Sequence, residues 1–487
     1  MRNKDDIFYQ AVLARDYRFD GKFFVGVKTT GIYCRPICPA KPKKENMVFF
    51  PDALSAEKSG YRPCLRCRPE CAPLSPAWIG KSAVVQRALK LIANNQLLES
   101  NEDRFAERLG VSARHLRRLF EEELGKTPKQ ISDSNRLDFA RKLIVETNIS
   151  ITHIAFTSGF SSVRRFNDAI KKRFRRSPSD LRKTQSDVVP DTGIHLTLPY
   201  RPPFDWESLI RFYQSHEIGG VETVTENRYE RVFKLDGAVG GLRVEPNPEK
   251  PELKLRVVTE DYKNLFRVVQ KLRQMFDLDS DPILIANSFS ESRFMNQLCQ
   301  KYPGLRIPRG WDPFETAICS ILGQFVSTEQ AARLIKQLVT NYGEEVKNPL
   351  SGLTSRLFPT PKTLVRESLT QLGTTQARKN TIREFTRQVL EGKITLESTQ
   401  DPSAFKEALR QINGIGPWTA EYVSLRALGD TDAFPHTDLI LKRVAHLHAD
   451  LNLDHIQPWR AYAAIYLWKE YAKLLSSKKE KNNDALL

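Results

Sequence analysis

Two close pairs of cysteines stand near the start of the chain. Cys34 and Cys38 lie in "TTGIYCRPICPAKPKKEN", and Cys64 and Cys67 lie in "GYRPCLRCRPE". A C-x3-C pair, a gap of 25 residues and a C-x2-C pair suit four thiolates around one tetrahedral Zn²⁺. Free buried thiols are the alternative, and two pairs at such short spacing argue against it. Cys71, Cys299 and Cys319 lie off this pattern and read as structural thiols.

Far downstream, "ALRQINGIGPWTAEYVSLRAL" carries Gly414 and Gly416 between two apolar helical runs. Glycines there permit a tight hairpin whose amides point outward at the start of the next helix. Such an arrangement binds a DNA phosphate through backbone N–H groups. This is a helix-hairpin-helix signature. Asp438 follows in "DAFPHTDLILKRVAHL", just after a Pro-containing turn and at the start of a helix. A carboxylate is favoured there by the helix dipole. By residue type alone, Asp438 is either a plain N-cap or a functional acid.

The elements that must position these residues follow from periodicity. "RFAERLGVSARHLRRLFEEELGKTP" reads helix, turn, helix, with Gly110 at the turn and Ser112 as N-cap. "ITHIAFTSGFSSVRRFNDAIKKRFRRSPSDLR" repeats the pattern, with Gly159 at the turn and Ser161 as the expected cap. The amphipathic stretch "RLDFARKLIVET" joins the two. The second helix of each unit is basic and is expected in the major groove. Ser112, Arg114, His115 and Arg118 are the candidates in the first, and Ser161, Ser162, Arg164 and Arg165 in the second. Phe105, Leu109, Leu116 and Phe120 have core spacing. Non-specific DNA binding remains open beside operator recognition.

After a polar linker around 185–195, "RYERVFKLDGAVGGLRVEPNP" and "ELKLRVVTE" alternate like antiparallel strands, and "DYKNLFRVVQKLRQMFDL" is an amphipathic helix. From "GLRIPRGWDPFETAICSILGQ" onward the chain reads as almost all helix. The expected fold is therefore multidomain and mainly α with α+β parts. The expected order is a small zinc domain (1–78), a tandem helix-turn-helix domain (79–185), an antiparallel-sheet α+β domain (186–303), an all-helical helix-hairpin-helix domain (304–474) and a disordered tail (475–487).

A length of 487 residues exceeds what one core covers. The charged first residues contain no apolar signal region and no run spans a bilayer, so a cytoplasmic protein without a membrane partner is expected. The net charge of +17 is one-sided: residues 1–184 hold 36 Lys and Arg against 20 Asp and Glu, residues 185–487 hold 39 against 38. A basic front half is the electrostatic footprint of a nucleic-acid binder.

The stretch from "FDGKFFVGVKTTGIYCRPICPAKPKKENMVFF" to "GYRPCLRCRPE" closely resembles the zinc domain of Ada-type adaptive-response proteins. That resemblance implies repair of methyl phosphotriesters in DNA, with Cys34 as the methyl acceptor and Cys38, Cys64 and Cys67 as co-ligands of one Zn²⁺. Residues 80–184 resemble the DNA-reading domain of AraC-type activators, on Gly159, Phe160, Phe174 and Pro178. That implies promoter DNA and RNA polymerase as partners.

Residues 195–472, from "LPYRPPFDW" to "PWRAYAAIYLWKEY", resemble AlkA-type alkyladenine DNA glycosylases. The resemblance implies that Asp438 is catalytic, that Trp418, Tyr422 and Trp468 line the base pocket with Gln324 beside them, and that Phe325 in "LGQFVS" is the wedge entering DNA. It implies release of 3-methyladenine and 7-methylguanine. Trp418 occupies the place where lyase-type relatives carry a lysine, no cysteine follows Cys319 to build an iron–sulfur cluster, and no "PCHR" motif is present. Strand cleavage and O6-methylguanine repair are thus not expected. A monomer is expected. The alternative is an AraC-type regulator whose glycosylase-like half is catalytically silent.

Overall fold

The computed structural model describes residues 4–16, 19–20, 22–40, 42–64, 66–67, 69, 83–93, 97, 101–183, 193–397, 402–448 and 451–471. Cys71, Lys41, most of the 185–195 linker and the 475–487 tail lie outside the described residues. The chain forms two compact units. The first comprises residues 1–202, 234–273 and 278–280, and the second residues 203–233, 274–277 and 281–487.

The first unit begins with a four-stranded sheet: β1 (Phe24–Val27), β2 (Ile32–Cys34), β3 (Met47–Phe50) and β4 (Arg62–Pro63), in the order β3-β1-β2-β4. Aromatic packing under the sheet includes Phe8 stacked on Phe23 at 4.1 Å. Helices follow at Ala83–Ala93, Glu102–Glu107, Ala113–Leu124, Pro128–Glu146, Ile151–Thr157 and Val163–Phe174. Phe105, Leu109, Leu116 and Phe120 are buried together with Val85, Leu91 and Ile92, as their spacing predicted.

The joining helix runs over 19 residues, starting well before "RLDFARKLIVET". Its start is set at Pro128, where Thr127 and Gln130 form a reciprocal capping box. The cap of the last long helix corrects the sequence reading. Ser162, not Ser161, accepts from the Arg165 N–H. Only Ser162 stands three residues before that free amide, the reach of an N-cap hydroxyl.

Strand β5 (Ile194–Pro199), which the sequence pattern did not reveal, pairs antiparallel with β9 (Glu252–Thr259), and β9 with β8 (Ala238–Pro246). In the second unit β6 (Glu222–Thr225) pairs antiparallel with the start of β7 (Arg228–Leu235). The rest is helical, apart from a small pair of strands at Glu345–Lys347 and Thr354–Arg356. Its core gathers Phe314, Ile318, Ile321, Leu338, Phe385 and Leu409. Phe405 and Tyr462 are buried core residues. Among the described residues no helix is long and apolar enough to cross a membrane.

Candidate functional site

Strand pairing brings the cysteines together. Cys34 ends β2, and the N–H of Cys64 bonds the Tyr33 carbonyl at 2.9 Å through the parallel β2–β4 pairing. A turn closed by the Cys38 N–H on the Arg35 carbonyl folds Cys38 back. The four sulfurs of Cys34, Cys38, Cys64 and Cys67 all lie within 4.8 Å of one another, and all four residues are buried. Burial pushes the Cys67 thiol well above its usual range. Four buried thiols this close are uncomfortable as anions unless a cation neutralises them, and four sulfurs are the donor set of a structural Zn²⁺ site. The residues fit one Zn²⁺.

The sulfurs are not equivalent. The backbone N–H of Arg35 donates to the Cys67 sulfur at 3.3 Å. Arg35 also clamps the loop, with its guanidinium on the Cys67 carbonyl at 3.2 Å and on the buried Asp20 carboxylate.

In the two helix-turn-helix units, Gly110 and Gly159 take the left-handed conformation at the turns. Ser112 caps its helix by accepting from the His115 N–H. Arg114, Arg164 and Arg165 are exposed on the first turns of the second helices and Arg118 one turn on, with His115 half-buried against Arg118. The side chains expected to read bases are therefore presented together at the helix starts.

In the second unit the helix Pro402–Arg410 turns through the hairpin into Pro417–Val423. Gly414 has φ +94, and a Cβ there would sit 2.2 Å from Thr381 Oγ1, so only glycine fits. Gly416 is open to solvent and caps Pro417–Val423. Asp438 lies at the head of Leu439–Leu447, and its carboxylate accepts four N–H groups. Oδ2 takes the indole of Trp418 at 2.9 Å. Oδ1 takes the amides of Ile440 and Leu441 at 2.9 and 3.0 Å and, more loosely, the indole of Trp468 at 3.4 Å. Trp418 and Tyr422 stack at 4.9 Å, and Trp468 meets Tyr422 edge-on at 6.2 Å. Asp438 thus caps the helix and also accepts from two of the three aromatic residues expected around it.

Phe325 is 99% exposed, at φ +55. Gln324, expected in the base pocket, directs its amide to the hairpin instead, donating to the Gly414 carbonyl at 3.0 Å and Thr419 Oγ1 at 2.7 Å. The Arg378 guanidinium holds the Gln324 carbonyl.

Three family models match the chain: the metal binding domain of Ada over residues 8–70, a helix-turn-helix domain over 105–184, and the AlkA N-terminal domain over 195–312. The Mycobacterium tuberculosis "Probable bifunctional transcriptional activator/DNA repair enzyme AlkA" is 34% identical over 474 residues, covering 94% of this chain and 95% of its own. The chain belongs to this family of bifunctional transcriptional activator/DNA repair enzymes. Other relatives each match one part. The "DNA-3-methyladenine glycosylase 2" of Escherichia coli is 27% identical over 279 residues, 56% of this chain and 96% of its own. The "Bifunctional transcriptional activator/DNA repair enzyme Ada" of Escherichia coli is 34% identical over 188 residues, 36% of this chain and 51% of its own.

Sequence reasoning missed several family-site neighbours. Arg426 stands four residues after Tyr422, bonds its hydroxyl at 3.2 Å and lies 5.6 Å from its ring. That helical spacing was a usable signal. Thr381, which fills the space opposite Gly414, had none, because it lies 33 residues away in sequence.

Proposed function

We infer that the chain joins a single-use sensor of DNA methylation, a promoter-binding activator and a monofunctional base-excision glycosylase. In this reading residues 1–78 accept methyl, 79–185 read DNA, and 186–303 with 304–474 form the glycosylase. The partners are alkylated duplex DNA, promoter DNA and RNA polymerase, met as a monomer in the cytoplasm.

The observation that carries the glycosylase reading is the Asp438 carboxylate held by two indoles and two amides inside an aromatic cluster. Four donors stabilise its charge and occupy its lone pairs, so it acts as a fixed anion. Trp418 and Tyr422 stack on each other, so an everted base uses their open side, toward Trp468 and Asp438. A purine alkylated at N3 or N7 is cationic and favours such ring faces. As the C1′–N bond breaks, its electron pair leaves with the base, which departs neutral. Asp438 stabilises the positive sugar, and water adds at C1′ and loses its proton. Trp418 offers no amine, so no Schiff base forms and the strand stays intact.

An aromatic side chain wholly in solvent, on a backbone conformation that costs about 1–2 kcal/mol, suits a wedge that replaces the everted base. Phe325 is that wedge, and Gln324 with Arg378 anchors its loop to the hairpin. The amides of Gly414 and Gly416 are open to a phosphate, whereas that of Ile415 closes the turn on the Ile412 carbonyl.

In the sensor, bound zinc keeps the four sulfurs as thiolates at neutral pH. The Arg35 N–H draws electron density from Cys67, and Cys34, at the end of β2, is the acceptor in this reading. Its S–C bond forms as the methyl C–O bond breaks, and the negative charge passes to the phosphodiester. The thioether does not revert, so each molecule reports once.

Incubation of the protein with methylated duplex DNA tests the central claim. Free 3-methyladenine should appear without strand breaks. No release would leave a regulator with a silent half.

A further inference from the structure

Tyr33, the neighbour of Cys34, donates its hydroxyl to Glu57 Oε1 at 2.8 Å. Glu57 lies on the helix Ala53–Lys58 beside the zinc-site sheet. Its carboxylate is also the meeting point of two cations from the helix-turn-helix region, Lys126 Nζ at 2.7 Å and the Arg173 guanidinium at 2.9 Å. Arg173 in turn holds Asp138 of the joining helix at 2.8 and 2.9 Å. Two cations face two carboxylates, all largely buried, so the cluster is neutral as a group. Burial works against the Glu57 charge, yet Arg173 and Lys126 hold its carboxyl below the ordinary range.

Two further contacts run beside this cluster. The buried Arg141 guanidinium of the joining helix donates to the main-chain carbonyl of Cys64 at 3.3 Å. Gly125 caps the helix Ala113–Leu124 at φ +64, and a Cβ there would lie 1.3 Å from Lys58 Nζ. Lys58 thus rests on the carboxyl end of that helix, where its charge suits the helix dipole.

The positions of these contacts decide their meaning. Lys126 lies just past the end of Ala113–Leu124, and Arg173 lies in the last turn of Val163–Phe174. Arg114, His115, Arg164 and Arg165 lie at the opposite ends and Arg118 midway along its helix, and a helix of 12 residues is about 18 Å long. An autoinhibitory contact would cover the reading residues. This one grips the far ends of both helices and leaves those residues free.

We propose that Glu57 is a positioning residue that locks the zinc module onto both reading helices, so that sensor and readers meet DNA as one rigid body. The proposal rests on the reading of Cys34 as methyl acceptor and of the two helices as DNA readers. A module joined rigidly pays no ordering cost when it binds, whereas a tethered one does. Methylation of Cys34 then adds the contacts of the zinc module at a fixed spacing from the two helices.

Glu57→Gln in the full chain tests this, since it keeps the shape and removes the charge. The DNA probe is a duplex enriched from a random pool on methylated wild-type protein. Zinc content, methyl uptake from a methylphosphotriester oligonucleotide and base release should stay at wild-type levels. Affinity of the methylated variant for the probe should fall at least tenfold, and that of the unmethylated variant by less. On heating, zinc release to a chelating dye and loss of helix should coincide in the wild type and separate in the variant. Unchanged affinity with coincident transitions would overturn the proposal. Absence of methyl uptake by the wild type would overturn the Cys34 reading instead, and the melting comparison would still judge the joint. Should Glu57→Gln lose zinc, Lys126→Gln, which removes one of the two reader-side cations and leaves the zinc module unaltered, carries the same comparison.

Discussion

The indole N–H of Trp418 donates to Oδ2 of Asp438 at 2.9 Å, from a residue 20 positions earlier in the chain. One side chain therefore both stacks on Tyr422 and donates to Asp438. A hydrogen bond to a charged group contributes roughly 1.5–3 kcal/mol, and Trp418→Phe keeps a ring while removing the donor. Release of 3-methyladenine should fall roughly 10- to 100-fold, with DNA binding little changed. Asp438→Asn should abolish nearly all release with the same binding. Single-turnover base release measures both. Wild-type rates in either variant would remove Asp438 from the mechanism.

The two chemistries reside in different units and should separate. Cys34→Ser should end methyl uptake from phosphotriesters and leave base release intact. Labelled methyl appearing on the Cys34→Ser protein would show that another sulfur is the acceptor.

Methylation should also strengthen DNA binding. Four thiolates on Zn²⁺ carry a formal charge near −2, and a thioether ligand reduces it to about −1. One charge at about 5 Å and an effective dielectric constant near 20 amounts to roughly 3 kcal/mol before screening. A net gain on the order of 1–2 kcal/mol, about tenfold in affinity, is expected at low salt. Lys43 and Lys44 flank the site; Lys44 pairs with Asp6 in an exposed contact that a phosphate can replace. Equal affinities of methylated and unmethylated protein across a salt series would rule the switch out.

A pH effect on stability should come from Glu315. Burial raises its carboxyl from an ordinary 4.5 to about 7, with repulsion from Glu222 adding and Arg231 opposing. Because the folded value is the higher one, the stability Glu315 contributes is fully present below pH 4.5 and is lost as pH rises through about 7. The loss is on the order of 3 kcal/mol at most. Glu315→Gln cannot titrate, so wild type should lose stability relative to the variant between pH 5 and pH 8. Denaturant unfolding at both values measures it, and a constant difference would exclude Glu315 as the source.

Much of this protein was legible as a string of residues because the relevant signals are local. Cysteines three and four apart can only converge, Gly414 and Gly416 bracket a turn, Ser112 caps the helix that follows it, and the basic residues of 1–184 announce a polyanion. Each of these depends on neighbours along the chain, so backbone geometry alone carries the inference. The tertiary structure decided what depends on residues far apart. It paired β5 with β9, turned Gln324 to the hairpin and set two indoles on Asp438. It also placed Glu57 against Arg173, 116 positions on. The physical reason is that a side chain's partner across such a gap is set by how whole elements pack, and no spacing in the sequence records that.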